Sequence, residues 1–580
     1  MYIDCVPNRN SPPAVLLRES YREGGKTRKR TLANLSGWPE AKIEALRAVL
    51  RNATVVGKLD DAFEIERSLP HGHVEAVLGT LRRLGLDRLI GSKRSKQRDV
   101  VTSMIVARVL DPRSKLGTTR ALNEATRTST LGELLELDRV DENDLYKAMD
   151  WLLPRQSKIE QALSRRHLSH GSLVLYDVTS TYFEGRHCPL ARMGYSRDRK
   201  KGKLQIVIGL VCNAKGCPVS VEVFEGNTAD PKTFPSQVQK VQDRFALEQV
   251  VFVGDRGMIT SARIREDLKD RPGVSWITAV RSTQIKQLVL SGTVQLSLFD
   301  ERDIGEVLSP DYPGERLIAC RNPLLAMERK RKRRELLAAT EQELDKIVRA
   351  TRRRRSPLHG KDKIGMRVGR VLGRFKMAKH FLIEIGDASF TYQRDEPKIA
   401  QEESLDGIYM LRTSVAAERM TSEDVVRAYK GLSVVERAFR RLKTVDLKMR
   451  PIYHRLPDRV RAHVLICMLA YYVEWHMREA LAPILFHDDD KARGEAQRKS
   501  IVSPAKRSPR ALAKANTKTT DDRFPVHSFQ TLLADLATIC KNRIRPKMAG
   551  AESFDRLTTP TELQRKALDL LKAGCRLQTT

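Results

Sequence analysis

Two aspartates interrupt stretches of sequence that are otherwise apolar. Asp177 follows Leu-Val-Leu-Tyr at 173–176, and Asp255 follows Val-Val-Phe-Val-Gly at 250–254. Continuous apolar runs predict strands buried on both faces, which places each aspartate at the carboxyl end of a strand. Taken singly, each is better explained as a strand-ending cap. Together on one sheet they predict a carboxylate pair for a divalent cation, because hard ions such as Mg²⁺ prefer oxygen ligands.

Glu436 is the third acidic candidate. Its spacing from Ser433 is that of a helix capping box, so capping of its own helix is an open alternative. The helix face favours more than a cap. Glu436, Arg440 and Lys443 share one side of a helix predicted over 433–444, whose other side is apolar. A carboxylate beside two cations suits a site that holds metal and phosphate together.

The elements that must position these residues follow from the hydrophobic pattern, which divides the chain into six segments. The prediction is a small N-terminal β/α module (1–60), a helical segment (61–168), the first part of a mixed α/β sheet (169–281), an insertion (282–420), the second part of the α/β unit (421–480), and a flexible basic linker with a C-terminal tail (481–580). For the helical segment, a DNA-reading module and a scaffold with a basic surface are both open.

The insertion contains a long polar helix, predicted over 324–355. It carries basic runs at 329–334 and 352–355. We predict DNA contacts from Arg331, Arg333 and Arg334, and the alternative is a helix that is merely solvated.

Composition narrows the class of protein. Lys and Arg number 105 and Asp and Glu 72 in 580 residues, a net charge of +33 that favours a polyanionic partner and salt-dependent binding. The most apolar stretch, 464–473, is about half the length that spans a bilayer. No secretory signal is recognisable, and the low cysteine density fits a reduced cytosol. Cys212 and Cys217 flank a predicted turn, without a His or Cys pair to complete a zinc site.

Four segments resemble bacterial insertion-sequence transposases of the DDE group. They are 175–180, 225–230, 253–258 and 429–443. The resemblance covers about residues 1–480 and is to the branch with a β-rich insertion between the second Asp and the Glu. That branch carries a Tyr-x₂-Arg-x₃-Glu-x₆-Lys signature, matched here at Tyr429, Glu436 and Lys443, whereas Leu432 occupies the arginine position.

The resemblance implies an RNase H-like catalytic core in which Asp177, Asp255 and Glu436 bind two Mg²⁺ ions, with Mn²⁺ as a substitute. It implies two-metal cleavage of DNA at the element's terminal inverted repeats and joining of those ends to target DNA. Lys443 and Tyr429 would contact DNA near the element end, and helix packing is the alternative for Tyr429. Because the signature arginine is missing, Arg437 and Arg440 are the two alternatives for its DNA contact, and we predict DNA binding by Arg440.

The same resemblance implies a homodimer in the synaptic complex and a nucleoid-associated protein of the bacterial cytoplasm, without membrane contact. Two other classes stay open. One is an RNase H-like nuclease acting on RNA or junctions, and the other is a non-catalytic DNA-binding relative.

Overall fold

The structure is a computed structural model that describes residues 1–9, 11–52, 62–300, 302–498, 500–547 and 551–572. The strands in these ranges are β1 Tyr2–Val6, β2 Ala14–Glu23, β3 Lys26–Asn34, β4 Phe63–Pro70, β5 Ser172–Tyr182, β6 Gln205–Asn213, β7 Pro218–Glu225, β8 Val250–Val253, β9 Val274–Ala279, β10 Ile304–Val307, β11 Arg316–Arg321, β12 Phe381–Ile385, β13 Phe390–Arg394, β14 Ile408–Thr413, β15 Cys540–Pro546 and β16 Phe554–Leu557.

The α-helices in the same ranges are α1 Glu40–Leu50, α2 Gly72–Arg83, α3 Leu86–Ile90, α4 Lys96–Leu110, α5 Lys115–Leu122, α6 Leu131–Leu134, α7 Glu142–Leu152, α8 Gln156–His167, α9 Asp230–Gln239, α10 Ser261–Arg263, α11 Ser282–Leu290, α12 Pro323–Thr351, α13 Lys361–Phe375, α14 Glu396–Glu403, α15 Ser422–Lys430, α16 Leu432–Arg440, α17 Pro457–Ala480, α18 Lys491–Ala496, α19 Pro509–Thr517, α20 Phe529–Leu536 and α21 Glu562–Leu570.

An eight-stranded mixed sheet organises the centre of the chain. Its order is β10-β11-β14-β9-β8-β5-β6-β7. The strands β5, β6 and β7 form an antiparallel meander, whereas β8 and β9 run parallel to β5. Every side chain of β8 is buried, as expected for a parallel strand covered on both faces. The predicted mixed α/β architecture is therefore confirmed.

The strand that carries Asp177 is longer than predicted. β5 continues through Thr-Ser-Thr-Tyr, so Asp177 lies in the middle of the strand and pairs with Leu210 of β6. The pairing of β5 with β8 ends at Leu175, opposite Val253. Thus the placement of Asp177 at a strand end was wrong for β5, but Asp177 lies just beyond the end of the parallel pairing, because β8 is only four residues long.

The insertion is partly continuous with the sheet. β11 and β14 add to its edge antiparallel to each other, and β14 pairs with β9. Between these two strands the chain forms α12, α13, the β12–β13 hairpin and α14, with a hydrophobic core of their own. The predicted long polar helix is confirmed as α12. The part of the predicted insertion that packs separately is therefore shorter than 282–420.

The two ends of the chain differ from the prediction. Residues 63–70, expected to be helical, form β4 because they pair with β15 of the C-terminal segment. The C-terminal segment is not a flexible linker and tail in its described parts, since Lys514 is buried and its ammonium bonds the carbonyl oxygens of Ala482 and His487 at 2.9 Å. The predicted boundary at residue 60 lies outside the described residues.

The most apolar helix, α17, lies at the centre of the main core. It packs against α2, α4 and α7 and against β7. Almost its whole length is buried within the protein. In the described part of the chain, no helix combines the length and the apolarity that crossing a bilayer would take.

Candidate active site

Asp177 lies on β5, and Asp255 follows the neighbouring parallel strand, β8. Asp177 is half-buried, and its Oδ1 accepts the N–H of Val178 at 2.8 Å. Asp255 follows β8 by two residues and is exposed; its Oδ1 accepts the N–H groups of Gly257 and Met258 at 3.1 and 2.8 Å. The turn-capping role that the sequence offered for Asp255 is thus present, and its second carboxylate oxygen makes no hydrogen bond with any described residue.

Glu436 reaches the same place from a helix. α16 buries Val435, Ala438 and Phe439 and packs against β5, which leaves Glu436 exposed on the opposite side. The predicted capping box is absent because α16 begins one residue earlier than Ser433, with Gly431 as its N-cap and no side-chain cap. Glu436 is consequently not engaged in capping its own helix.

The three carboxylates, which we call the acidic triad, act on one another electrostatically. The pKa of Asp177 is raised to about 7, chiefly by burial and further by the charges of Asp255 and Glu436, against the opposing effects of the Val178 N–H and the charge of Arg197. Across the described ranges, no Lys, Arg or His side chain forms an ion pair with any of the three. An unpaired cluster of acids is costly, and it stands out in a chain of net charge +33.

Other acids near the triad are neutralised. Asp230 begins α9 and forms an ion pair with Arg197, and Glu184 lies 3.3 Å from the ammonium of Lys203. These partners distinguish the two residues from the triad, which has none among the described residues.

Tyr429 lies beside the triad at the end of α15. The pKa of its phenol is raised to about 12. Burial is the largest cause, the charge of Asp255 is the next, and Glu436 and Asp177 contribute less. The ring also packs against the main core. The side chain of Tyr429 therefore packs against the core and also lies beside the acidic triad.

Lys443 is engaged inside the protein. α16 ends at Arg440, and a π-helical turn over Arg441–Val445 redirects Lys443 toward β5. Its ammonium donates to Thr179 Oγ1 at 2.9 Å, Ser180 O at 2.8 Å and Asp198 Oδ1 at 3.0 Å. Lys443 thus bonds to β5 two and three residues beyond Asp177, whereas Arg440 is exposed, and the predicted common face of Glu436, Arg440 and Lys443 stays a prediction.

The three arginines predicted on the insertion helix have different environments. Arg333 is largely buried and forms a bidentate pair with Asp406 at 2.7 and 2.8 Å, so it joins α12 to the segment before β14. Arg331 is exposed and bridges Glu328 and Glu335. Arg334 is exposed without an ion pair to a described residue. Arg333 is thus engaged with an acid of the protein, and its predicted DNA contact stays a prediction.

The donor set of the acidic triad fits a hard divalent cation. All three groups are carboxylates, and a cation would relieve the repulsion that raises the pKa of Asp177. The triad is open rather than a closed cage. Among the described residues, the only three His, Cys, Asp or Glu ligand atoms within 4.8 Å of one another belong to His167, Cys217 and His476.

That second cluster was missed by the sequence, because its members are far apart in the chain. His167 Nε2 lies 2.9 Å from the hydroxyl of Tyr472, and burial lowers the pKa of His476 to about 4. Arg83 and Arg166 also lower it, and this positive surrounding opposes a bound cation. We assign the cluster to packing between β7 and α17.

Two family models match the chain. The transposase DDE domain matches residues 169–473, and the N-terminal domain of IS1634 family transposases matches residues 4–58. The first match spans more than half of the chain, so the chain belongs to the family of DDE-domain transposases. With the N-terminal match, the resemblance to insertion-sequence transposases is confirmed, and membership implies a DNA-transferring enzyme that uses a divalent metal.

One solved structure is similar at a low level. It is a cryo-EM structure of a piggyBac transposase synaptic complex with hairpin DNA, with 10% identity and a TM-score of 0.32 over 70% of this chain and 72% of that chain. A TM-score this low supports no inference about fold or ligand. No curated protein matches the chain.

Proposed function

We propose that this transposase binds the terminal inverted repeats of its element, cleaves the DNA there and joins the ends to target DNA, with Asp177, Asp255 and Glu436 as its catalytic metal ligands. The observation that carries the proposal is the acidic triad itself. Three carboxylates from β5, the segment after β8, and α16 influence one another, and no ion pair with a described residue neutralises them.

The sheet supports an RNase H-like assignment of the core. The first three strands of the core form a meander, and the next two strands run parallel to the first strand and on its other side, in the order β7-β6-β5-β8-β9. The separate core of 323–403 supports treating that part as the inserted unit. We propose the division into N-terminal module, helical segment, catalytic core, insertion and C-terminal segment on this basis, and a homodimer in the synaptic complex by resemblance alone.

The triad would hold two Mg²⁺ ions, which when bound supply the Lewis acidity and the charge neutralisation that in-line phosphoryl transfer requires. The protein supplies position. Asp177 is held by β5, which pairs with β6 at Asp177 itself and with β8 as far as Leu175. Asp255 is held by two backbone N–H groups. Lys443 fastens β5 two and three residues beyond Asp177, so we assign it a positioning role in the unliganded protein.

Fewer residues of the insertion are proposed to contact DNA than the basic run at 329–334 suggested. Lys332 and Arg334 are exposed, and neither forms an ion pair with a described residue, whereas Arg331 and Arg333 are paired with acids. Arg440, exposed at the end of α16, is the remaining candidate close to the triad.

The function is tested with DNA that carries the element's own ends. We expect a gel shift that prefers these ends to random DNA, and strand cleavage and joining only when Mg²⁺ or Mn²⁺ is present. Equal binding to random DNA with no cleavage would indicate a non-catalytic binding protein. Preferential cleavage of RNA or junctions would indicate the nuclease alternative.

A second experiment tests the insertion helix. Replacing both Lys332 and Arg334 with Ser is expected to weaken end binding several-fold and to reduce the slope of log affinity against log salt by up to about 1.8, since each phosphate contact contributes about 0.9. Arg331→Ser is the matched control on the same helix, and its effect should be smaller because Arg331 is already paired with Glu328 and Glu335. Equal effects of both variants would contradict the assignment.

A further inference from the structure

A cavity of about 700 Å³ lies between the helical segment and the loop that follows Lys443. Its walls come from α4, the start of α5, α7, the loop before α17, and α17 itself. Seven lining side chains are Lys or Arg, and one, Glu142, is acidic. The cavity, which we call the basic pocket, is therefore strongly cationic.

Three arginines that line the basic pocket are paired with acids. Arg113 pairs with Asp111, Arg459 with Asp150 at 2.9 Å, and Arg450 with Asp198 at 2.9 Å. These three ion pairs leave four basic side chains of the pocket without an acidic partner among the described residues: Arg108, Lys115, Lys448 and Arg455.

Arg108 and Lys115 are the buried cations of the pocket, with 8% and 9% of their surfaces exposed. Arg108 donates one long bond, 3.4 Å, to the carbonyl oxygen of Lys448, and its Nε is buried without a hydrogen-bond partner. Lys115 makes no hydrogen bond or ion pair with any described residue. Burying two charges without counter-charges costs free energy. An anion bound from solution would offset this cost, so the arrangement indicates an anion-binding site.

The position of Lys115 adds to the positive potential. Lys115 is the first residue of α5, where the helix dipole is positive and disfavours a cation. Lys448 and Arg455, also in the wall, have no ion pair with a described residue. Four uncompensated cations thus converge on one cavity.

The location of the pocket indicates which anion it takes. Asp198 binds Arg450 at the pocket and Lys443 beside β5, so the pocket and the strand of Asp177 share one ion-pair network. The guanidinium of Arg450 also lies 4.7 Å from the ring of Tyr182, the last residue of β5. Tyr182 is five residues from Asp177, about 16 Å along a strand, which a DNA duplex covers in about five base pairs.

We propose that the basic pocket binds a backbone phosphate of the DNA strand engaged at the acidic triad, with Arg108 and Lys115 as the groups that bind it. The inference rests on the proposed function for its occupant, because the pocket is linked to β5, the strand of Asp177, through Asp198 and Arg450. Binding of a phosphate by the two buried cations does not depend on whether the acidic triad cleaves DNA.

Binding is expected to take up a proton. The pKa of Lys115 is lowered to about 7, chiefly by burial and also by the charge of Arg108, against a smaller opposing effect of Cys467. A phosphate would raise this pKa, so affinity should be highest below pH 7 and fall as the pH rises above it. The other groups facing Lys115 do not compete in that range, since burial, Lys115 and Arg108 hold the pKa of His454 at about 3 and that of His463 well below its usual value.

The experiment uses the full chain without metal and two probes, a labelled DNA duplex and inorganic pyrophosphate. For Arg108→Gln and Lys115→Gln we expect several-fold weaker duplex binding by fluorescence anisotropy and a salt slope lower by up to about 0.9 each. Arg120→Gln, an exposed cation on the same α5, is the matched control and should bind as wild type. Lys115→Gln should also lose the decline of affinity above pH 7.

A stability measurement separates this role from a structural one. Lys115→Met removes an unpaired buried charge, so its melting temperature without ligand should rise while its DNA affinity falls; a fall in both would overturn the proposal. Wild-type duplex affinity and salt slope in Arg108→Gln and Lys115→Gln would also overturn it. Stabilisation by pyrophosphate that needs Lys115, with unchanged DNA binding, would assign the pocket to a free phosphate compound instead. Binding that depends on Lys115 in a protein that does not cleave would refute the proposed function and leave the phosphate site standing.

Discussion

Replacing Asp177 or Asp255 with Asn, or Glu436 with Gln, is expected to reduce strand cleavage by more than about a hundredfold, with binding to the element ends retained. Loss of a residue that merely orients a metal ligand already costs about 10–100-fold, and these are the proposed ligands themselves. Each amide keeps the size of the acid and removes one negative charge, so no phosphate contact is lost. Cleavage is measured on end-containing DNA with Mg²⁺, and binding by gel shift.

Glu184→Gln is the control for this series. Glu184 follows β5 by two residues and is paired with Lys203, so its loss should leave cleavage close to that of wild type. A Glu436→Gln variant that still cuts would remove Glu436 from the triad. Equal losses of cleavage and end binding in all three variants would instead indicate a role in folding.

Replacing Glu315 with Ala is expected to destabilise the protein by about 3–5 kcal/mol, the usual consequence of leaving one member of a buried ion pair alone. Glu315 accepts two hydrogen bonds from Arg412 of β14 and one from the indole of Trp276 in β9, at 3.3 Å. Arg412 also donates to Ser261 at 2.8 Å. This buried pair holds the returning strand of the insertion against the parallel part of the sheet.

Urea unfolding followed by circular dichroism measures that effect. Glu335→Ala is the control, because the exposed pair of Glu335 with Arg331 should contribute less than about 1 kcal/mol. A double variant, Glu315→Ala with Arg412→Met, should recover part of the loss, since it removes the unpaired charge as well. A midpoint for Glu315→Ala equal to that of Glu335→Ala would show that the pair does not stabilise the sheet.

Much of the local structure could be predicted from the pattern of residues within short segments. The apolar run at 250–253 predicted a strand buried on both faces, and β8 is one. The polar helix of the insertion and the apolar helix before residue 480 were also predictable, because helical periodicity and length are local properties. The family could be inferred because its short motifs are contiguous in the chain.

Pairings between distant segments could not be predicted. β4 is a strand because β15, more than 470 residues later, supplies its hydrogen bonds, and neither segment is strongly apolar. The C-terminal segment looked flexible because it is basic, yet Lys514 is buried through carbonyl partners that no local pattern shows. Arg333 looked like a free surface cation for the same reason.

The sequence by itself determined which residues could do chemistry here: two acids in apolar strands, a third on an amphipathic helix, and an excess of cations for a polyanionic partner. Only the tertiary structure decided their environments. It packed α16 on β5 and placed β8 beside β5, so that the charges of Asp255 and Glu436 act on Asp177 and none of the three forms an ion pair with a described residue. It turned Lys443 toward β5 and buried Arg108 and Lys115 without an ion pair to a described residue. The electrostatic environment of a charged side chain depends on its neighbours, and folding supplies those neighbours from distant parts of the chain.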